Sequence, residues 1–556
     1  MLEEAGTTFY YSTKTGEQDV TLHHGLRTDG AMDEASMLAF CRRHAVRLMV
    51  DAAHPFAVRL HETILSVSSQ LAIPVVRYER IYPPRTADIT WIDDYSQIPR
   101  DIRLLLATTG VQSISRLKPL EAEGMRIVYR ILHRESSIRL AHAQGADDSQ
   151  LCFYEDADRI DVEADAILLK ESGVSGGFLA KVEAARAKGM RIVALKRPPV
   201  FNDSGVLTCN GPYGLRRRVE KALPEFFPLH SGLTTGTCAT AAAIAATLRL
   251  LRNETPAEVP VLLPDGETIS VAVGYAAGYA YCIKEAGDDP DVTDGVEIRA
   301  RVEPSGHWEI CGGEGVGRFT LPGFDYPPGE AAINKGPREM MRRNIQEPVR
   351  ITISVPGGRE IARRTFNPRL GIEGGISIIG VSGIVRPFSE EAFIDSIRKC
   401  MQVAVASGTD RVVLNSGAKS ERFLRECYPE LPQQAFVQYG NYIGESLRMA
   451  DELGVANVTL GVMLGKAVKL AAGQLDTHSR RATMDLGFIR QMLDEAHVQP
   501  LTFTLARELW EKIPEEKVED FCRVVISRCV SCCQPLVPQA RLTLLLIADD
   551  GTIHSL

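Results

Sequence analysis

The sequence predicts an α/β protein built from more than one folded part. Short apolar runs alternate with amphipathic stretches, as expected for parallel strands joined by helical crossovers. Several of these runs end in glycine-containing loops, where such sheets turn into helices. The length of 556 residues, 45% hydrophobic, implies three or four domains at about 150 residues each, every one able to bury a core.

Taken in order, Ala45 to Asp51 (AVRLMVD) reads as a buried strand. The loop AHPFA, a helix through Leu71 and a strand from Ile73 to Tyr78 follow. Ile102 to Ala107 ends in Thr108-Thr-Gly110, a helical segment comes next, and MRIVYRIL (Met125 to Leu132) returns as a strand. Ala164 to Leu169 leads into Lys170-Glu-Ser-Gly-Val-Ser-Gly-Gly177, a helix through Lys188 and the strand RIVALKRP. A glycine-rich loop at a strand-to-helix junction exposes backbone N–H groups where phosphate or carboxylate binds. Glycine also serves tight turns there, and both readings stand.

After Pro198 the pattern loosens, and Phe226 to Gly232 reads as a hinge. Beyond it, Thr234-Thr-Gly-Thr-Cys-Ala-Thr precedes an alanine-rich run, so Thr235 or Thr237 is expected to cap a close-packed helix. That helix is either plain core or carries an anion or substrate site at its start. From Gly371 to Gly383 five glycines interrupt β-branched residues between Arg369 and Arg386, a composition that lets a ligand approach the backbone. The last third returns to α/β units. Asp410 to Leu414 precedes Asn-Ser-Gly-Ala, Ala435 to Tyr439 precedes Gly-Asn-Tyr-Ile-Gly444, and Asn457 to Val462 precedes Gly465 to Gly473, with His478 beyond.

Four aspartates fall between Asp288 and Asp294 in KEAGDDPDVTDG. A calcium loop needs glycine at its sixth position and glutamate at its twelfth. Counted from Asp289 those places hold Asp294 and Ala300, and counted from Asp288 a ligand position falls on Pro290. The register excludes that loop and leaves a turn or a reaction. The net charge of −8 with scattered basic residues argues against a nucleic-acid partner. No apolar run approaches the roughly 18 residues of a membrane helix. The start MLEEAGTTFYY lacks the regions of a signal peptide, so a cytoplasmic protein is expected. Twelve cysteines are spread out, as free thiols are. Only Cys529-x-x-Cys532-Cys533 with Cys522 clusters, and it lacks the second pair of ligands that completes a metal spacing.

From about Leu229 onward the chain resembles the cobalt-precorrin-5B C(1)-methyltransferase family of anaerobic cobalamin biosynthesis. The blocks that carry this are SGLTTGTCATAAA, KEAGDDPDVTDG, GGEGVGRFT, AINKGPRE, FNPRLGIEGGISIIG, GIVRPFS and GKAVKLAAGQLDTHS. Departures are local: Val381-Ser382 stands where the family has two threonines, and Asn415-Ser-Gly417 replaces a loop richer in proline and glycine. The first 200 residues or so resemble the precorrin-6A reductase family, through VDAAHPFA, IPVVRYER, LLATTG and LLKESGVSGGFLAKVEAARAKGMRIVALKRP. That family opens with a strand and a glycine turn. This sequence begins at Leu2-Glu-Glu-Ala-Gly6, which resembles the end of the following helix, so a misplaced start is expected.

The resemblance implies a Rossmann-like reductase domain over 1–225 and a multi-part α/β methyltransferase domain over 229–556. It implies S-adenosylmethionine as methyl donor, NADH or NADPH for the reductase, and a tetrapyrrole substrate that carries its own cobalt, with no metal site in the protein. Other enzymes of the pathway are possible partners, and a non-catalytic carrier of the corrinoid intermediate is the alternative. For the donor it suggests Gly374, Gly375, Gly380, Ser382, Gly383 and Asn441. For substrate carboxylates it suggests Arg318, Arg338, Arg369, Arg386, Lys466 and Lys469, with Thr234, Thr235 and Thr237 at the helix start. Asp288, Asp289, Asp294 and His478 are candidate proton acceptors. In the reductase half, Lys170, Ser172, Gly176 and Gly177 are placed at the cofactor and His54, Thr108 and Lys181 at the substrate.

Overall fold

A computed structural model describes residues 1–14, 20–154, 160–199, 206–478 and 484–556. The chain divides into two units, Met1–Ser231 with Pro260–Ser270, and Gly232–Val259 with Val271–Leu556.

Besides a two-stranded parallel pair, Phe9–Thr13 with Gly25–Asp29, the first unit holds two larger parallel sheets. The smaller one contains β1 (Met49–Asp51), followed by α1 (Val58–Leu71), and β2 (Val75–Tyr78). The larger one contains β3 (Ile89–Ile92), β4 (Leu104–Ala107), β5 (Arg126–Leu132), β6 (Leu151–Tyr154), β7 (Ala166–Lys170) and β8 (Arg191–Leu195). The helices α2 (Ile114–Ala122) and α3 (Phe178–Ala187) follow β4 and β7. After β8 the chain returns as β9 (Leu207–Cys209) in the small sheet, whose order is β9-β2-β1. The large sheet has the order β3-β8-β7-β4-β5-β6. Alternate side chains of its strands enter two cores, Leu105, Ala107, Leu168 and Val193 on one face and Leu106, Ile167, Leu169 and Ile192 on the other. Burial on both faces explains why these strands read as continuous apolar runs.

Two expected strands are shorter than their apolar runs. Ala45 adopts a left-handed backbone (φ 47), so the strand begins only at Met49. Ala72, likewise left-handed (φ 52), closes α1 and delays the next strand to Val75.

The hairpin around Pro260–Ser270 belongs to the first unit through Glu267, which is buried. Its carboxylate accepts the N–H groups of Tyr213 (3.0 Å) and Gly214 at the start of α4 (Pro212–Ala222). A Cβ at Gly211 would overlap that carboxylate. Burial raises the Glu267 pKa, and the N–H partners only partly offset this.

In the second unit α5 (Thr235–Arg252) buries an alanine face. It lies on a mixed sheet of β10 (Gly274–Ala276), β11 (Tyr279–Ile283), β12 (Glu297–Pro304), β13 (Glu309–Gly312) and β14 (Val349–Ser354). Its order is β10-β11-β12-β14-β13. Between β13 and β14 comes α6 (Lys335–Asn344). Further on, α7 (Glu390–Ala406), β15 (Arg411–Asn415), α8 (Ala418–Cys427), β16 (Phe436–Gln438), α9 (Ile443–Glu452), β17 (Asn457–Met463) and α10 (Leu464–Ala471) follow one another. Then come α11 (Glu515–Cys533), β18 (Arg541–Ile547) and β19 (Ile553–His554). The second sheet of this unit has the order β16-β15-β17-β18-β19, parallel except for its last pair. Among the described residues no helix is long and apolar enough to cross a membrane.

Candidate active sites

In an open parallel sheet, ligands bind beyond the carboxyl ends of the strands where successive connections run in opposite directions. In the six-stranded sheet the chain leaves β4 toward β5 and leaves β7 toward β8 on the other side. The switch point is therefore between β4 and β7, and their loops are Thr108-Thr-Gly110 and Glu171–Gly177.

Thr108 donates its hydroxyl to the Leu168 carbonyl at 2.9 Å, tying the two strand ends together. The Lys170 ammonium lies 5.2 Å from the Phe56 ring centre. Burial, then Arg116, lowers its pKa, and among the described residues no carboxylate pairs with it. His54 is pushed down to about 4 by burial first, then by Arg80, Lys170, Arg77 and His61. It is a neutral imidazole at neutral pH, and its Nδ1 accepts the Phe56 N–H at 3.2 Å. A lysine in cationic company and without a carboxylate suits an anionic ligand. This is the fit expected for a nucleotide phosphate or a substrate carboxylate. Behind His54 lies a buried cluster. Asp51 Oδ2 takes His61 Nδ1 at 2.7 Å and Oδ1 takes Arg77 at 3.1 Å, while His61 Nε2 reaches the His54 carbonyl at 3.1 Å.

The loop glycines serve packing. A Cβ at Gly176 would come within 2.6 Å of Ser172 and 2.7 Å of Arg80, so glycine there admits the chain's own side chains. Gly177 caps α3 with a left-handed backbone (φ 67). Ser172 donates to the Gly176 carbonyl (3.1 Å), and Lys181 reaches the same carbonyl (3.5 Å).

In the second unit the start of α5 departs from expectation. The cap is Thr234, whose hydroxyl oxygen accepts the Thr237 N–H at 3.1 Å, and not Thr235 or Thr237. Thr235 accepts the Ile379 N–H (2.9 Å), Thr237 donates to the Gly383 carbonyl (2.6 Å), and the Gly236 N–H goes to the Ile379 carbonyl (2.8 Å). Thr235 and Thr237 are buried. These groups bond to the 379–383 loop.

The glycine-rich block is likewise close-packed against the chain itself. A Cβ at Gly375 would overlap the Gly315 carbonyl, and one at Gly380 the Thr234 hydroxyl. Gly374 (φ 84) has open space. Gly383 (φ 87) and Ser382 complete the turn, with the Ser382 hydroxyl donating to the Ile384 carbonyl at 3.0 Å.

The aspartate run folds as a turn around a buried lysine. Asp291 takes Lys284 Nζ at 2.7 Å and accepts both the N–H (2.8 Å) and the hydroxyl (2.7 Å) of Thr293. Burial would raise the Asp291 pKa, but Lys284 and Thr293 outweigh it and hold the carboxyl below its ordinary value. Asp294 accepts the Ala286 N–H (2.7 Å). Asp289 accepts the N–H of Phe388 (3.1 Å), an exposed residue in left-handed backbone (φ 55). Asp288 is exposed.

A second switch point lies between β15 and β17, because the chain leaves β15 toward β16 and leaves β17 toward β18. Here Asn441, Lys466, Lys469 and His478 come together. Lys466 donates to the Gly440 carbonyl and lies 5.3 Å from the Tyr439 ring centre. Burial, then Lys469, pushes it down to about 8. Lys469 donates to the Thr477 carbonyl (3.3 Å), Thr477 N–H to the Asn441 carbonyl (3.0 Å), and His478 N–H to Asp476 (3.0 Å). Ser479 lies outside the described residues. Phe366, Arg369, Phe393, Phe436 and Gln438 line a small cleft that opens to solvent.

Arginines expected at substrate carboxylates have partners within the chain. Arg369 pairs with buried Glu421 at 2.6 Å. Arg338 donates to the Ile333 and Ala331 carbonyls and stacks on Tyr326, and Arg318 donates to Gly329. Arg386 is exposed.

A cobalt-precorrin-5B C(1)-methyltransferase of Prosthecochloris aestuarii is 42% identical to this chain over 352 residues, 58% of the chain and 95% of that relative. The chain belongs to that methyltransferase family. The family model CbiD matches residues 224–387, and a second, Precorrin-6x reductase CbiJ/CobK, matches residues 1–210. A solved cobalamin biosynthesis protein (cbiD) of Archaeoglobus fulgidus is 30% identical at a TM-score of 0.27, covering 46% of this chain and 83% of its own. A solved CobK precorrin-6A reductase is 16% identical at a TM-score of 0.32, covering 40% of this chain and 92% of its own.

In this methyltransferase-family chain the pair Lys284–Asp291 went unnoticed in sequence, although a signal exists. Ala280 and Cys282 are the buried positions of β11, and Lys284 continues that period of two. A lysine at the inward phase of a strand requires a nearby carboxylate. The cysteines of α11 pack against α10, with Cys529 donating to the Ala467 carbonyl. Burial pushes Cys522 and Cys533 up to about 12 and Cys529 well above its usual value, so they are thiols. Among the described residues no group of three or more His, Cys, Asp or Glu is placed to hold a metal ion.

Proposed function

We propose that this is a bifunctional cytoplasmic enzyme of corrin assembly. Residues 229–556 methylate carbon 1 of cobalt-precorrin-5B with S-adenosylmethionine. Residues 1–225 reduce the product, cobalt-precorrin-6A, with NADH or NADPH. One observation carries this reading: a single chain joins a match to the methyltransferase family with a match to the reductase family model. The two parallel sheets, each with basic side chains at its switch point, support it.

Bound S-adenosylmethionine supplies an electrophilic methyl group and a bound nicotinamide supplies hydride. The chain must bind, orient and keep water out, because methyl transfer demands collinear alignment in a dry pocket. Lys466, with Lys469 beside it, holds a ligand carboxylate at the β15/β17 crevice, and Asn441 shapes its rim. The loop from Gly374 to Gly383 borders the substrate, with Arg386 offering a carboxylate partner. Asp288, Asp289, Asp294 and His478 are the groups to accept a proton. In the reductase half Lys170 holds an anionic group of cofactor or substrate and can keep a proton at Nζ. His54, uncharged at pH 7, contributes shape and a hydrogen bond. Tethering consecutive steps raises one site's effective concentration for the other's product to the order of millimolar where geometry permits.

Anaerobic incubation with cobalt-precorrin-5B and S-adenosylmethionine, with and without NADH or NADPH, tests both halves by mass spectrometry. The expected products are one methyl group heavier, and two hydrogens heavier again with nicotinamide. Tight binding with no change in mass would replace this reading with a non-catalytic corrinoid carrier.

A further inference from the structure

Glu171 stands where the ligand loop of the first unit meets both chain segments that join its two sheets. The first connector, 79–88, runs from β2 to β3, and the second leaves β8 on its way to β9. From the first, Arg85 donates Nε and Nη2 to the two carboxylate oxygens at 3.0 and 2.8 Å. From the second, Arg197 donates its backbone N–H (2.9 Å) and Nη1 (3.1 Å) to the same carboxylate. The Glu171 side chain is 2% exposed, so four donors surround a carboxylate that water hardly reaches. Such charge-assisted, two-pronged bonds fix direction as well as distance.

The surrounding contacts repeat the pattern. Arg197 lies 3.7 Å from the ring centre of Tyr82, joining the two connectors directly. Tyr82 donates to Glu79 (2.6 Å), which also takes Arg77 of the buried Asp51 cluster. The loop side is pinned too. Arg80 donates to the Ser172 carbonyl (2.8 Å) and the Val174 N–H to the Ile81 carbonyl (2.9 Å). Gly173, at φ +75, leaves no room for a Cβ against Arg80 and Ile81.

We infer that Glu171 is a positioning residue that sets the Ser172–Gly177 loop relative to the two connectors, so that nucleotide binding at the loop and the angle between the two sheets are coupled. The nucleotide part rests on the reductase reading above; the mechanical coupling does not.

Two variants of the full-length protein test it, Glu171→Gln on the loop and Arg85→Ala on the first connector, where the half-exposed arginine can be lost without unfolding. The coupling predicts that both weaken kcat/KM for the nicotinamide nucleotide by roughly 10- to 100-fold, carried by KM with kcat little changed. It also predicts that hydrogen exchange of the 172–177 amides rises in Arg85→Ala although Arg85 is remote in sequence, while β7 and β8 stay protected. A lower melting temperature with unchanged KM and unchanged loop exchange would reduce Glu171 to a structural residue and overturn the inference. If the wild-type protein binds neither NADH nor NADPH, the reductase reading falls, and the exchange measurement alone decides the coupling.

Discussion

Lys284 places its ammonium 2.7 Å from Asp291 Oδ2, with the lysine side chain 1% exposed and the aspartate's 27%. This pair organises the acidic turn. Removing one partner of such a pair strands a charge, whereas removing both is far less costly. Asp291→Asn should therefore destabilise the second unit by about 2–3 kcal/mol after allowing for the aspartate's partial exposure. Lys284→Met with Asp291→Asn should recover most of the loss. Urea unfolding followed by tryptophan fluorescence measures both. Because the Asp291 pKa is depressed in the fold, its contribution is full above the unfolded value of 3.8 and is lost as pH falls through the lower folded value.

Asp289 offers a cleaner separation of charge from structure. Its oxygen accepts the Phe388 N–H, and an asparagine oxygen keeps that bond while losing the charge. Asp289→Asn should abolish methyl transfer, by at least about 100-fold if the carboxylate takes a proton, with the circular dichroism spectrum unchanged. Unaltered turnover would remove Asp289 from the mechanism.

Lys466, at about 8, is charged below that pH and neutral above it. Binding of S-adenosylhomocysteine should weaken by about fivefold from pH 8 to pH 9 if the ammonium holds its carboxylate. Titration calorimetry of wild type and Lys466→Met checks this, since the variant should bind weakly and without that pH dependence. An identical profile in the two proteins would move the donor elsewhere.

His54 titrates at about 4 against 6.5 for a free histidine. The unfolded chain therefore binds the extra proton first. Stability linked to His54 is complete above pH 6.5 and drains away as pH falls toward 4. His54→Asn should flatten that part of the curve of unfolding midpoint against pH.

The parallel sheets were legible because strands buried on both faces leave unbroken apolar runs, as from Ala166 to Leu169. The loops beyond β4 and β7 were legible for the same reason, since strand ends fix where such loops fall. What escaped was distance in sequence. Glu171 meets Arg85 across 86 residues, and no local pattern announces that. The glycines of 371–383 were read as room for a ligand. Gly375 instead admits Gly315 and Gly380 admits Thr234, which only the folded chain reveals. Lys284 was the one omission with a local signal.

Because Pro260–Ser270 folds with the first unit while its flanks fold with the second, the backbone passes from one unit to the other three times. No single cut divides this polypeptide into its two units. A gene truncated before Gly232 would encode a first unit without Glu267, leaving the start of the Pro212–Ala222 helix uncapped. Complementation by two separately expressed halves would require the hairpin of one polypeptide to fold into the other. A stop codon between Gly232 and Pro260 therefore also removes part of the first unit.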